Sequence, residues 1–208
     1  MPTPDFDLYL VTDRSLTQGR DLLWVLQQAL AGGVKAIQLR EKDLGGRDLF
    51  FLAEAARKLT QSYHARLLIN DRIDLALAVD ADGVHLSTAS IPIESARVLL
   101  GRQKLLAAST HSLEEAQEAE RNGADFVVFG PVYFTPSKAP YGEPQGLAAL
   151  KKTVEKISLP IYAIGGIKAE NIADTRRTGV RGVALISAVM GAADPKDATK
   201  KILKLFNR

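Results

Sequence analysis

The chain has no cysteine, few aromatic residues, no long apolar run and no block of like charge. Each shortage removes a class of function. Without cysteine there is no disulfide framework, no thiol nucleophile, no iron–sulfur cluster and no thiolate zinc site. No apolar stretch reaches the ~18 residues of a membrane-crossing helix, and Met1-Pro2-Thr3-Pro4-Asp5 has neither the basic nor the apolar region of a signal peptide. The expectation is a soluble, cytoplasmic protein without a membrane partner. Basic residues number 27 against 24 acidic ones, a net +3, and they are scattered along the sequence. With aromatics at 6%, there is neither a cationic face nor a set of base-stacking rings, so nucleic acid is not an expected partner. A few cations for small anionic substrates fit better, and a homo-oligomer stays open.

What is present is ordinary for a globular chain: 46% hydrophobic and 25% charged residues, in a length of 208 that allows two small domains or one large one. Short apolar runs alternate with longer amphipathic ones. The strand candidates are Leu8 to Val11, Ala36 to Leu39, Leu67 to Ile69, Gly83 to Leu86, Leu105 to Ala108, Phe126 to Phe129, Ile161 to Ile164 and Val183 to Ile186. Most are continuously apolar, as strands covered on both faces of a parallel sheet are. Ser112-Leu113-Glu114-Glu115 predicts a reciprocal capping box, with the helix it opens ending near Asn122-Gly123. Glycines at Gly32-Gly33, Gly123 and Gly179 mark further helix exits just before strands. Eight strand–helix units predict a single-domain (β/α)8 TIM barrel over residues 1–208, with an open doubly wound sheet as the alternative.

In such a barrel, chemistry gathers just after each strand. Gln38, Arg40 and Lys42 alternate after the second strand and would share one side of an extended segment, suiting a phosphate or diphosphate; a solvated charged loop is the competing reading. After the third come Asn70, Asp71 and Arg72. Asp71 is a candidate magnesium ligand or else a cap for the next helix. Ser109 and His111 follow the fifth strand, Ser109 as a hydrogen-bonding group and His111 as an acid–base group or a packed side chain. Thr135, Ser137 and Lys138 lie in a long Pro- and Gly-bearing segment with the composition of a lid over an anion. Gly165-Gly166 and Ser187, after the last two strands, occupy the usual phosphate site of these barrels, although a tight turn also explains the glycines.

At these residues the sequence resembles the thiamine phosphate synthase and thiazole tautomerase superfamily, closer to the synthases. The resemblance rests on Leu8 to Asp13, Gln38 to Lys42, Asn70-Asp71-Arg72, Gly83 to Leu86, Ser109-Thr110-His111, Gly130-Pro131-Val132, Thr135 to Lys138, Ile164 to Ile167 and Ile186-Ser187-Ala188, in the family's order and spacing. It implies condensation of hydroxymethylpyrimidine pyrophosphate with a thiazole phosphate, giving thiamine phosphate and pyrophosphate. It further implies that Gln38, Arg40, Lys42, Asn70, Ser109 and Lys138 hold the pyrimidine pyrophosphate, that Thr135, Ser137, Gly166, Ile186 and Ser187 hold the thiazole phosphate, and that Asp71 holds Mg2+. Arg40, Lys42, Lys138 and Ser109 would then stabilise the departing pyrophosphate. One position departs from the synthase pattern: nineteen residues beyond Asp71, where a second magnesium carboxylate is usual, stands Ser90. A thiazole tautomerase using His111 without metal, and a ligand-binding relative without turnover, are the alternatives.

Overall fold

Apolar runs too short for helices pair edge to edge when both faces find cover, and here they close on themselves. The computed structural model describes residues 3–135 and 143–207. Its strands are β1 (Leu8–Val11), β2 (Ala36–Leu39), β3 (Arg66–Asn70), β4 (Gly83–Leu86), β5 (Leu105–Thr110), β6 (Phe126–Phe129), β7 (Ile161–Ile164) and β8 (Gly182–Leu185). They run parallel in sequence order, and β8 returns to β1 through Leu8–Val183, Tyr9–Ala184 and Leu10–Leu185. That last pairing makes the sheet a closed barrel and excludes the open alternative. Against expectation, β3 gains a residue at each end, β5 gains two at its mouth end, and β8 is shifted back by one.

Outside the barrel lie α1 (Leu22–Ala31), α2 (Gly46–Ser62), α3 (Ile73–Ala78), α4 (Ile93–Leu100), α5 (Leu113–Arg121), α6 (Gly146–Lys156), α7 (Ile172–Arg177), the short α8 (Ser187–Met190) and α9 (Pro195–Phe206). Gly33, Gly123 and Gly179 take positive φ at the predicted helix exits. The predicted capping box forms only in part. Ser112 Oγ accepts from Glu115 N at 3.1 Å, but the Glu115 carboxylate reaches past Ser112 to His111 N at 2.6 Å.

Alternation along each strand separates two cores. One lies between strands and helices; the other fills the barrel with Phe6, Tyr9, Ala36, Leu68, Leu105, Ala107, Phe126, Val128, Tyr162 and Ala184. Its floor is aromatic: the Phe6 and Tyr162 ring centroids are 4.9 Å apart, Phe126 and Tyr162 5.2 Å, and Tyr9 and Phe126 5.6 Å. At the same end, two aspartates stitch neighbouring strands. Asp82 accepts from Leu67 N at 2.8 Å and pairs with Arg57 at 2.6 Å; Asp125 accepts from Leu106 N at 2.7 Å and pairs with Arg97 at 2.6 Å. With the floor sealed, only the opposite end, at the strand C-termini, is left to open toward a ligand.

Candidate functional site

The inward phase that places Ala36, Leu68, Leu105 and Ala107 inside the barrel carries Gln38, Asn70, His85 and Ser109 toward its mouth. At their centre sits His85, buried, with both ring nitrogens engaged. Nδ1 lies 3.3 Å from Tyr9 Oη and Nε2 lies 2.8 Å from Ser109 Oγ. Burial pushes the imidazole down to about 3; the nearby Asp71 carboxylate opposes this and the Arg40 guanidinium reinforces it. Arg40 and Asp71, from different loops, therefore act on one side chain. Burial also raises the Tyr9 phenol well above its ordinary value, with the Gln38 amide drawing it back. Yet Gln38 Nε2 makes no hydrogen bond of good geometry among the described residues, although Gln38 is 2% exposed. A buried, unpartnered amide at the base of a polar mouth is the signature of a position completed by ligand.

Asp71 does not cap α3, whose N-cap is Arg72 without a side-chain bond; Arg72 instead pairs with Asp74 at 2.6 Å. Its backbone takes φ +58°, a conformation aspartate tolerates better than most residues, while its N–H donates to His85 O at 3.0 Å. This turn aims the carboxylate at the β4–α4 loop. Oδ1 accepts from Ser90 Oγ, from Ser87 N at 3.3 Å and from Ser87 Oγ at 3.4 Å, while Oδ2 accepts from Asn70 Nδ2 at 2.8 Å. Ser90 thus stands beside Asp71, at the position where the family resemblance implies a second carboxylate.

The β2–α2 loop is held from below. Thr12 Oγ1 accepts from Arg40 N at 2.9 Å and donates to Glu41 Oε1 at 2.6 Å, while Arg14 N donates to Glu41 Oε2 at 3.1 Å. Burial raises the Glu41 carboxyl, with the bonds from Thr12 and Arg14 opposing it. Arg40 is half-buried, whereas Lys42 is exposed in a turn, so the extended alternation read from the sequence ends before it. His111 is exposed, its Nδ1 bonded to Gly130 O.

On the other wall, Gly165 and Gly166 take φ +97° and +63°. A Cβ at Gly165 would come within 2.6 Å of Pro131 Cα, and one at Gly166 within 2.6 Å of Phe134 O, so both glycines admit the β6–α6 loop over the end of β7. The tight turn is real and also leaves donors. Among the described residues, no backbone carbonyl accepts from the amide of Gly166 or of Ser187, which opens α8 beside Ile186. Thr135 is half-buried at the edge of the described chain; Ser137 and Lys138 lie outside the described residues. An open cavity of about 700 Å3 at the barrel's opposite end contains none of these side chains, and its Arg181 is paired with Asp7.

Tyr9, Thr12, Glu41 and His85 were not assigned roles from the sequence. For His85 a signal existed: it shares the inward phase of Asn70 and Ser109 in a strand that is otherwise apolar or glycine.

The thiamine monophosphate synthase family model matches residues 8–189. A putative thiamine-phosphate synthase of Geobacter sulfurreducens is 52% identical over 206 residues, covering 99% of this chain and 97% of its own. The thiamine-phosphate synthase of Syntrophomonas wolfei is 45% identical over 208 residues, covering both chains fully. Among solved structures, thiamine phosphate pyrophosphorylase from Pyrococcus furiosus superposes with a TM-score of 0.89 at 42% identity, over 97% of this chain and 96% of its own.

Proposed function

Because this chain belongs to the thiamine monophosphate synthase family, we propose that it transfers a hydroxymethylpyrimidine group from its pyrophosphate ester to the ring nitrogen of a thiazole phosphate. The products are thiamine phosphate and pyrophosphate. The observation that carries this reading is the convergence of Arg40, Asn70, Asp71 and Ser109 around buried His85, above the unpartnered amide of Gln38. An amide that needs a partner suits the pyrimidine edge. Arg40, with Lys42 exposed in the turn beyond it, suits the pyrophosphate, and Lys138, outside the described residues, is the third cation that the family resemblance implies.

Departure of pyrophosphate from a benzylic-type carbon builds negative charge on oxygen and leaves a resonance-stabilised cation. Fixed cations and hydroxyl donors lower that barrier, and the thiazole nitrogen then closes the new bond with no protein nucleophile required. The amides of Gly166 and Ser187, with Thr135 and Ile186, suit the thiazole phosphate on the opposite wall, and Ser137, outside the described residues, is a further ligand that the family resemblance implies. The Asp71 cluster fits magnesium: one carboxylate and the hydroxyls of Ser87 and Ser90 are hard oxygen donors, and this ion takes the rest of its shell from water and substrate oxygens. Among the described residues there is no group of three or more His, Cys, Asp or Glu that would form an all-protein cage. When bound, the ion would supply positive charge to the pyrophosphate oxygens.

The test is the purified protein with both phosphorylated precursors, with and without magnesium, assayed for thiamine phosphate. Magnesium-dependent product is expected. Isomerisation of a thiazole carboxylate phosphate in the presence of chelator, without thiamine phosphate, would establish the tautomerase instead; binding of both precursors without turnover would mark a non-catalytic relative.

A further inference from the structure

A hydroxyl can show a ligand either its proton or its lone pair, and for Ser109 the side chains beneath it decide which. Below Ser109 Oγ, His85 Nε2 lies at 2.8 Å, and beyond it Tyr9 Oη lies 3.3 Å from His85 Nδ1. His85 is 3% exposed and Tyr9 0%, with the two rings stacked at 5.8 Å. Around the rest of the Tyr9 ring stand Phe6, Phe126 and Tyr162, and the Tyr162 hydroxyl is already committed to Phe6 O at 2.7 Å. In this apolar floor the Tyr9 phenol keeps its proton, and a buried O–H must donate. Its acceptor is His85 Nδ1, the partner of Tyr9 Oη with hydrogen-bond geometry among the described residues, while the Gln38 amide lowers the phenol pKa as a donor to its oxygen does. A neutral imidazole that accepts at Nδ1 carries its single proton on Nε2, and that proton points to Ser109 Oγ. Both ring nitrogens face hydroxyl oxygens and neither faces a carboxylate, so the ring is held between neutral partners.

We propose that Tyr9 and His85 form a buried relay of hydrogen-bond direction that fixes Ser109 as a proton donor toward the barrel mouth. Tyr9 and His85 are therefore positioning residues, and the ligand atom at Ser109 must be an acceptor. A pyrophosphate oxygen satisfies this requirement; a donor-only group such as an ammonium or an amide N–H at the same place would meet donor against donor and be rejected. Among the described residues, Ser109 Oγ has no second hydrogen-bond partner, which leaves its proton for the ligand.

Only the identity of the acceptor rests on the proposed function; the relay belongs to the free protein and is tested there. In ¹⁵N-labelled protein near neutral pH, the imidazole nitrogens report the tautomer directly, and the His85 signals are identified by their absence in His85→Gln. The expected pattern is a pyrrole-type Nε2 and a pyridine-type Nδ1, with Tyr9→Phe lowering the ratio of Nε2–H to Nδ1–H tautomers several-fold. A pyrrole-type Nδ1 in the wild type, or a ratio unmoved by Tyr9→Phe, overturns the relay. In turnover, Tyr9→Phe should lower kcat/KM for the pyrimidine pyrophosphate by roughly three- to tenfold while leaving KM for the thiazole phosphate unchanged. Equal losses on both substrates count against it. Absence of thiamine phosphate would remove the proposed function yet leave the tautomer result standing.

Discussion

At the scale of single residues, the mouth is a balance of charges around one uncharged ring. Arg40 is half-buried, and its guanidinium opposes Asp71 at His85. Under the proposed function, Arg40→Ala would remove a charge-assisted bond to the leaving group and should cost roughly 1.5 to 3 kcal/mol in the transition state, read as kcat/KM. Ser90 donates to Asp71 Oδ1, so Ser90→Asp sets two carboxylates side by side. That variant should need less magnesium for half-maximal rate, and magnesium should raise its Tm more than it raises that of the wild type; unchanged values would show that Ser90 does not face the ion. His85 contributes to pH dependence with a definite sign. Its folded pKa of about 3 lies below the ordinary 6.5, so between these values the unfolded chain binds the extra proton. The stability due to the neutral ring is complete above that window and is lost as pH falls through it, by up to about 1.4 kcal/mol per pH unit. Urea unfolding of wild type against His85→Gln from neutral to acid pH should show the wild type losing its advantage.

Among the elements, local signals and tertiary contacts divide the work at the entrance of α5. Ser112 caps the helix, as its position before Leu113 to Arg121 predicts, while Glu115 turns to His111 N because the chain leaves β5 in a direction that exposes that donor. Ser112→Ala should cost about 1 kcal/mol of stability by denaturant unfolding, with the m-value unchanged. The glycines of the β7–α7 turn show the same division. Their positive φ was legible as turn chemistry, but the reason no side chain fits is the β6–α6 loop crossing above them, a contact between distant stretches of chain.

Across the whole molecule, the barrel separates stability from chemistry by its two ends. The floor is closed by aromatics and by the Asp82–Arg57 and Asp125–Arg97 pairs, the mouth by polar groups that retain unmet hydrogen-bonding capacity. Asp125 is 6% exposed and serves both Arg97 and Leu106 N. Asp125→Ala strands a largely buried guanidinium and a strand amide together, and should destabilise the fold by about 3–5 kcal/mol. Turnover per folded molecule below the lowered Tm should stay near wild type, because nothing at the mouth touches this pair.

The sequence alone determined the order of strands and helices, the glycine exits and the positions of Gln38, Arg40, Asn70, Asp71 and Ser109 beside strand ends, because periodicity, caps and left-handed turns are properties of neighbouring residues. Closure of β8 onto β1, the meeting of Ser90 with Asp71, and the column from Tyr9 through His85 to Ser109 were decided only in three dimensions. These join residues far apart in the chain, and burial, which sets both the protonation of His85 and the direction of its hydrogen bonds, does not exist until the barrel has closed.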